Sequence, residues 1–145
     1  MNESESDARW KIYLSGTGGV AIRSNISRLK RCFEHSGLDI YLGKIAYIGS
    51  DHLGDGFDMN LRRFMRKKLA FRHEREVRLV YYDEHKNHPG KSGTLIPIDV
   101  PELIDKIVIS PRAEEWFLPL VKSLVTKLGF AFDVVPSEGA EPLPI

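Results

Sequence analysis

Charged residues occupy every position from Arg72 to Glu76, and the chain then runs without a break into Val77-Arg78-Leu79-Val80-Tyr81-Tyr82. β-Branched and aromatic residues at that density favour a strand. If the strand covers the whole stretch, alternation places Glu74, Glu76 and Arg78 on one face and Val77, Leu79 and Tyr81 on the other. Such an element buries one side and aligns two carboxylates and a guanidinium on the opposite side. The polar side is either a solvated sheet face or the floor of a polar site.

The rest of the chain sets the frame for that strand. Its 145 residues suffice for one domain with a core and are too few for two comfortable ones. A hydrophobic fraction of 42% and a charged fraction of 28% are those of an ordinary soluble globular protein. The net charge of +1 supplies no global field for nucleic acid or membrane. A single cysteine, Cys32, excludes an internal disulfide and fits a reducing cytoplasm. No apolar run approaches the roughly 18 residues of a membrane helix. The polar, acidic stretch from Met1 to Asp7 is the opposite of a signal peptide. The expected organisation is a disordered N-terminus over 1–8, one α+β domain over 9–135, and a loosely ordered tail over 136–145 that holds three Pro.

Within 9–135 the pattern predicts strands at 19–23, 40–48, 72–82, 93–100, 106–110 and 130–135. Helices are expected at 25–35, with Ser24 as N-cap and Gly37 as the stop, and at 60–70, with Leu61, Phe64, Met65 and Leu69 inward. The longest helix is expected at 111–128, capped by Ser110, opened by Pro111, kinked at Pro119 and ended by Gly129. Its buried stripe reads as Phe117, Leu120, Leu124 and Leu128. Loops are expected over 49–58 and 83–92. Strands and helices alternate irregularly, which favours a mixed, mostly antiparallel sheet of about five or six strands under about three helices.

The candidate chemistry is concentrated in one stretch. Between Arg62 and Arg78 stand eight Arg or Lys against two Glu, a local excess of +6. Such a cluster suits a phosphate site, for a nucleotide or a nucleic-acid backbone. It equally suits the wet side of an amphipathic helix. The pair Glu74 and Glu76 could hold a ribose hydroxyl or steady a developing cation. Alternatively it pairs with Arg72, Arg78, Lys67 or Lys68 and contributes little. Ser110-Pro111-Arg112 is either an anion site at a helix N-terminus or a plain cap beside a surface residue. Gly16-Thr17-Gly18-Gly19 lacks the Lys-Ser/Thr of a P-loop. Asp51, Asp55 and Asp58 lack an EF-hand register, and His85 and His88 lack a second metal-binding pair, so no metal site is expected. Cys32 reads as a small core residue.

The ordered set Trp10-x-x-Tyr13, Gly19-Val20-Ala21-Ile22-Arg23, Leu29-Lys30, Gly43-Lys44-Ile45-x-Tyr47, Lys67-Lys68-x-x-Phe71-x-His73-Glu74-x-Glu76-Val77-Arg78 and Ile107-Val108-Ile109-Ser110-Pro111-Arg112-Ala113-x-x-Trp116-Phe117 resembles a large bacterial family, domain of unknown function 2971. The resemblance covers roughly residues 9–135. Members usually carry an N-terminal half before the Trp-x-x-Tyr motif, which this chain lacks, and their ending differs from Val134-Val135-Pro136-Ser137-Glu138. The complete family domain is in turn similar to the ADP-ribosyltransferase fold, a split sheet that binds NAD. That similarity implies that Glu76 or Glu74 contacts the ribose of NAD and that Tyr13 lies near the middle motif. The candidate catalytic residues are then Glu74, Glu76 and Arg78, and the candidate cofactor-binding residues Tyr13, Arg23, Arg112 and Lys68. With the first-strand residue missing, the chain is expected to hold half a site and to lack transferase activity alone. The alternatives are a self-associating interaction module, in which a second copy or another protein completes the sheet, and a nucleic-acid binder using Arg62 to Arg75.

Overall fold

The computed structural model describes residues 7–49, 59–81 and 93–138. The expected loops at 49–58 (apart from Gly49) and 83–92, with Asp51, Asp55, Asp58, His85 and His88, lie outside them, as do 1–6 and 139–145. In chain order the first elements are α1 (Asp7–Tyr13), β1 (Val20–Arg23), α2 (Ile26–Arg31), β2 (Ile40–Lys44), β3 (Ala46–Ile48) and α3 (Met59–Phe64). There follow β4 (Arg66–Lys68), a 3₁₀ helix (Leu69–Glu74), β5 (Val77–Tyr81), α4 (Val100–Leu103), β6 (Lys106–Ile109), α5 (Phe117–Lys127) and β7 (Asp133–Pro136). The chain is α+β, as the irregular element order predicted. Its strands, however, form three small sheets, β1-β6-β7, β2-β5 and β3-β4, two of whose strand pairs are antiparallel and two parallel. By contacts the chain divides into two compact units, one from Gly37–Ile96 and the other from the residues on either side.

In the flanking unit, β6 is the central strand, with β1 antiparallel on one side and β7 parallel on the other. Its Ile107 and Ile109, with Val134 of β7, are buried against Val125 of α5. The inner side of α5 is therefore Phe117, as expected, with Leu118, Val121 and Val125 in place of the rest of the expected stripe. Leu120, Leu124 and Leu128 are exposed. Apolar residues cover two adjacent faces of this helix, and a three-stranded sheet reaches only one of them.

The start of α5 also differs from expectation. Residues 110–116 form turns, with Ala113 N–H donating to the Ser110 carbonyl and Arg112 N–H to Ser110 Oγ. Ser110 thus organises a turn after β6 and does not cap a helix. Pro119 consequently falls in the first turn of α5, where its missing N–H has no intrahelical role, and no kink is needed. The end is as predicted. Gly129 takes φ +79°, and the N–H groups of Gly129 and Phe130 donate to Thr126 and Val125 in a Schellman arrangement.

Other boundaries moved for local reasons. Asn25, with extended backbone, caps α2 by accepting from Arg28 N–H at 3.0 Å, while Ser24 Oγ donates to the Leu103 carbonyl instead. The strand expected at 93–100 does not form. Pro97 removes a ladder donor, and Asp99 caps α4 with Pro101 in its first turn. Phe130 and Phe132 stack at 4.9 Å, so the last strand starts at Asp133, and it ends on Pro136 at an edge that needs no ladder donor. Cys32 is buried, as read, and burial pushes its thiol above the ordinary range, with Glu102 and Asp99 adding to it.

Ile109 is 3% exposed and Leu124 52% exposed. Ile109→Ala is expected to lower unfolding free energy by roughly 2–5 kcal/mol, and Leu124→Ala by less than about 1 kcal/mol. Urea denaturation measures both, and equal losses would contradict this assignment of the inner face of α5.

Candidate functional site

Arg62 and Arg66, like Arg63 and Lys67, are four residues apart, and a continuous helix would stack these like charges on one another. The helix expected over 60–70 stops at Phe64. Met65 closes its last turn, and the Met65 carbonyl then accepts from Ala46 N–H at 2.9 Å, turning the chain into β4. β4 lies parallel to β3, with Tyr47 opposite Lys67. Alternation sends Lys67 to one side of this ribbon and Arg66 and Lys68 to the other.

The strand expected over 72–82 begins only at Val77. Leu69–Glu74 coils as a 3₁₀ helix, and Arg75 follows in the left-handed region at φ 46°, ψ 48°. A non-glycine residue there costs about 1–2 kcal/mol. The bend takes Glu74 off the strand, so the expected alternation of Glu74, Glu76 and Arg78 does not hold. The two carboxylates nevertheless meet. Lys67 Nζ donates to Glu74 Oε2 and, at 3.3 Å, to Glu76 Oε2.

Glu76 is the hub. Its Oε1 accepts from Arg78 Nε at 2.7 Å and pairs with Nη2 at 2.6 Å. Its backbone N–H donates to the Tyr47 hydroxyl at 2.7 Å, and its carbonyl accepts from Ile45 N–H at 3.0 Å. Arg78 Nη1 donates to the Phe64 carbonyl, one of the acceptors that the end of α3 leaves open. The network therefore joins α3, β3, β4, the 3₁₀ helix and β5. Opposite Arg78 in β2 stands Gly43, where a Cβ would come within 2.5 Å of Met65 Cε.

All four charged side chains are partly buried, Glu74 most deeply at 15% exposure. Partial burial alone would push the Glu76 carboxyl up. The hydrogen bonds and charges of Arg78 and Lys67 outweigh it and hold the group below the ordinary 4.5. The hydrogen bond to Glu74 raises Lys67 above 10.5, against partial burial, with Glu76 adding to it. Glu76 is thus an ionised acceptor with no proton to donate, and both of its oxygens are occupied.

Of the pairings left open by the sequence, those with Lys67 and Arg78 are formed, and those with Arg72 and Lys68 are not. Arg62, Arg63, Arg66, Lys68 and Arg72 have no acidic partner among the described residues. All but Arg66, which is half-buried, are exposed. Tyr13, Arg23 and Arg112 belong to the other unit. Tyr13 is exposed at the end of α1, Arg23 lies 3.5 Å from Asp105, and Arg112 is exposed in the turn after β6. Tyr47 and Phe71 were missed. Tyr47, in the Gly43-Lys44-Ile45-x-Tyr47 stretch, carries no site role in the sequence reading, and Phe71, within the Phe-x-His-Glu motif, places its ring under Lys67 at 5.0 Å. Among the described residues, no group of three or more His, Cys, Asp or Glu is placed to hold a metal ion, and no helix is long and apolar enough to cross a membrane. No protein-family model, curated protein or solved structure matches the chain.

The stabilisation from Glu76 is present above the carboxyl's ordinary 4.5 and is lost as pH falls through its lower folded value. The urea midpoint should fall with acid in that window, and Glu76→Gln should lower the neutral-pH midpoint and flatten the acid loss. An unchanged acid limb would separate Glu76 from the stability of the unit. Tyr47→Phe, which strands the Glu76 N–H, is expected to lower stability by about 1 kcal/mol in the same assay.

Proposed function

We propose that this chain is a phosphate-binding module, for a nucleotide or another phosphate-bearing ligand, and not a transferase in its own right. One observation carries the reading: the segment's two carboxylates are consumed by Lys67 and Arg78, which leaves Arg62, Arg63, Lys68 and Arg72 exposed and with no acidic partner among the described residues. Four cations within eleven residues attract an anion strongly, and guanidinium groups match phosphate oxygens in pairs. The resemblance to domain of unknown function 2971, and through it to the ADP-ribosyltransferase fold, makes NAD the first nucleotide to try. In that setting Glu76 serves as bracing and as a fixed negative charge. Titration calorimetry at low salt with NAD, ADP and inorganic pyrophosphate tests the reading. Binding should weaken at least tenfold in Arg62→Ala/Lys68→Ala/Arg72→Ala and fall steeply with salt. Absence of binding by every phosphate-bearing ligand, an oligonucleotide included, or binding indifferent to the triple substitution, overturns it.

A second reading concerns self-association. All four residues of β1 are exposed and its outer edge pairs with no strand among the described residues, while Val20 and Ile22 share the sheet face of Ile109 and Ile107. An open apolar edge of this kind pairs readily with a copy of itself across a two-fold axis. Light scattering should then give a dimer that Ile22→Lys converts to monomer. A monomer in the parent chain at high micromolar concentration removes this reading and leaves the first intact.

A further inference from the structure

We infer that the phosphate-bearing ligand of the Gly37–Ile96 unit is a single-stranded nucleic acid, with Phe64 and Phe71 as its stacking platforms; the inference rests on the phosphate reading above. Phe64 and Phe71 are 44% and 42% exposed, although Phe64 comes from an apolar helix position expected to face inward. They stand in sequence among the cations that have no acidic partner among the described residues. The Arg63 guanidinium carbon lies 5.7 Å from the Phe64 centroid, and Lys67 Nζ 5.0 Å from that of Phe71.

The ion-pair network reaches the backbone of Phe64 and the ring of Phe71. It runs from the Phe64 carbonyl through Arg78, Glu76 and Lys67 to the face of Phe71. The two phenylalanines therefore stand at the two ends of one braced chain, with Arg62 and Arg63 on the helix of Phe64, Arg72 on the 3₁₀ helix of Phe71 and Lys68 on the strand between them. A phenyl ring in water is unfavourable unless something covers it. A partner protein with an apolar patch would meet these four cations there. A single strand meets both features at once: every base offers a π-face to the rings, and every nucleotide a phosphate to the cations. A duplex hides its base faces and is read by elements that enter a groove. α3 is six residues long, and β4 interrupts the helical pattern, so the segment is not the continuous amphipathic helix that lies on a membrane. Phenyl rings read no base edge, so little sequence preference is expected.

Fluorescence anisotropy with a labelled fifteen-nucleotide oligo-dT at low salt tests the inference on the full chain. The single strand should bind more tightly than a duplex of equal length. The plot of log affinity against log salt should have a slope of about −3 if four cations each neutralise one phosphate. Phe71→Ala and Phe64→Ala should each weaken binding about tenfold. Phe71→Leu keeps an apolar side chain beside Lys67 but offers no stacking face, and it should weaken binding as much as Phe71→Ala. Circular dichroism and the urea midpoint verify that each variant folds. Equal binding of duplex and single strand with no effect of Phe71→Leu overturns the inference and leaves the phosphate reading standing. So does binding of pyrophosphate or NAD without oligonucleotide, or binding only to vesicles of phosphatidylserine. Failure of every phosphate ligand overturns both.

Discussion

Lys67 donates to two carboxylates from different turns of the chain, and the whole arrangement of the Gly37–Ile96 unit follows from that sharing. One ammonium satisfies Glu74 at the end of the 3₁₀ helix and Glu76 before β5, which holds the left-handed Arg75 between them. Arg78 completes the second carboxylate and closes the end of α3. Each of these groups is only partly buried, so no single pair contributes much on its own. Their weight lies in joining five elements of a unit with little apolar core: Ile45 is its one buried hydrophobic residue among those described.

The flanking unit is held differently. Its stability resides in apolar contact between one face of a three-stranded sheet and one side of α5, where Ile107, Ile109, Val125 and Val134 exclude water. Charges there are peripheral, as in the pairs Arg23–Asp105 and Arg31–Glu102 on its surface. The two units thus divide the labour. One has a hydrophobic core and an exposed apolar edge, and the other has an electrostatic frame and an exposed basic, aromatic surface. The same frame that consumes the glutamates leaves Arg62, Arg63, Lys68 and Arg72 without an acidic partner among the described residues, so structure and proposed ligand are linked through one residue, Lys67.

Much of the candidate site was legible before the fold was known. The excess of cations between Arg62 and Arg78, the pair Glu74 and Glu76, and the strand that follows are all readable as composition and pattern. The assignment of Glu74 to a strand face failed because alternation assumes an unbroken strand, and a single left-handed residue at Arg75 breaks it. The exposure of Phe64 and Phe71 was also hidden. Phe64 lies at a position that helix periodicity marks as inward, Phe71 falls between the expected helix and the expected strand, and both are exposed where α3 ends at Phe64 and β4 pairs with β3.

By itself the sequence determined the α+β class, the strand after Glu76, the glycine stop at Gly129, and a locally basic segment in a chain of nearly zero net charge. Each of these depends on neighbours within a few residues, through propensity, capping or composition. Tertiary structure alone decided which of two apolar stripes on α5 meets the sheet, where the basic helix ends, and which cations the two glutamates take. Those choices compare contacts between segments far apart in the chain. Local energies at these places are nearly balanced, so packing and charge pairing across the fold set the outcome.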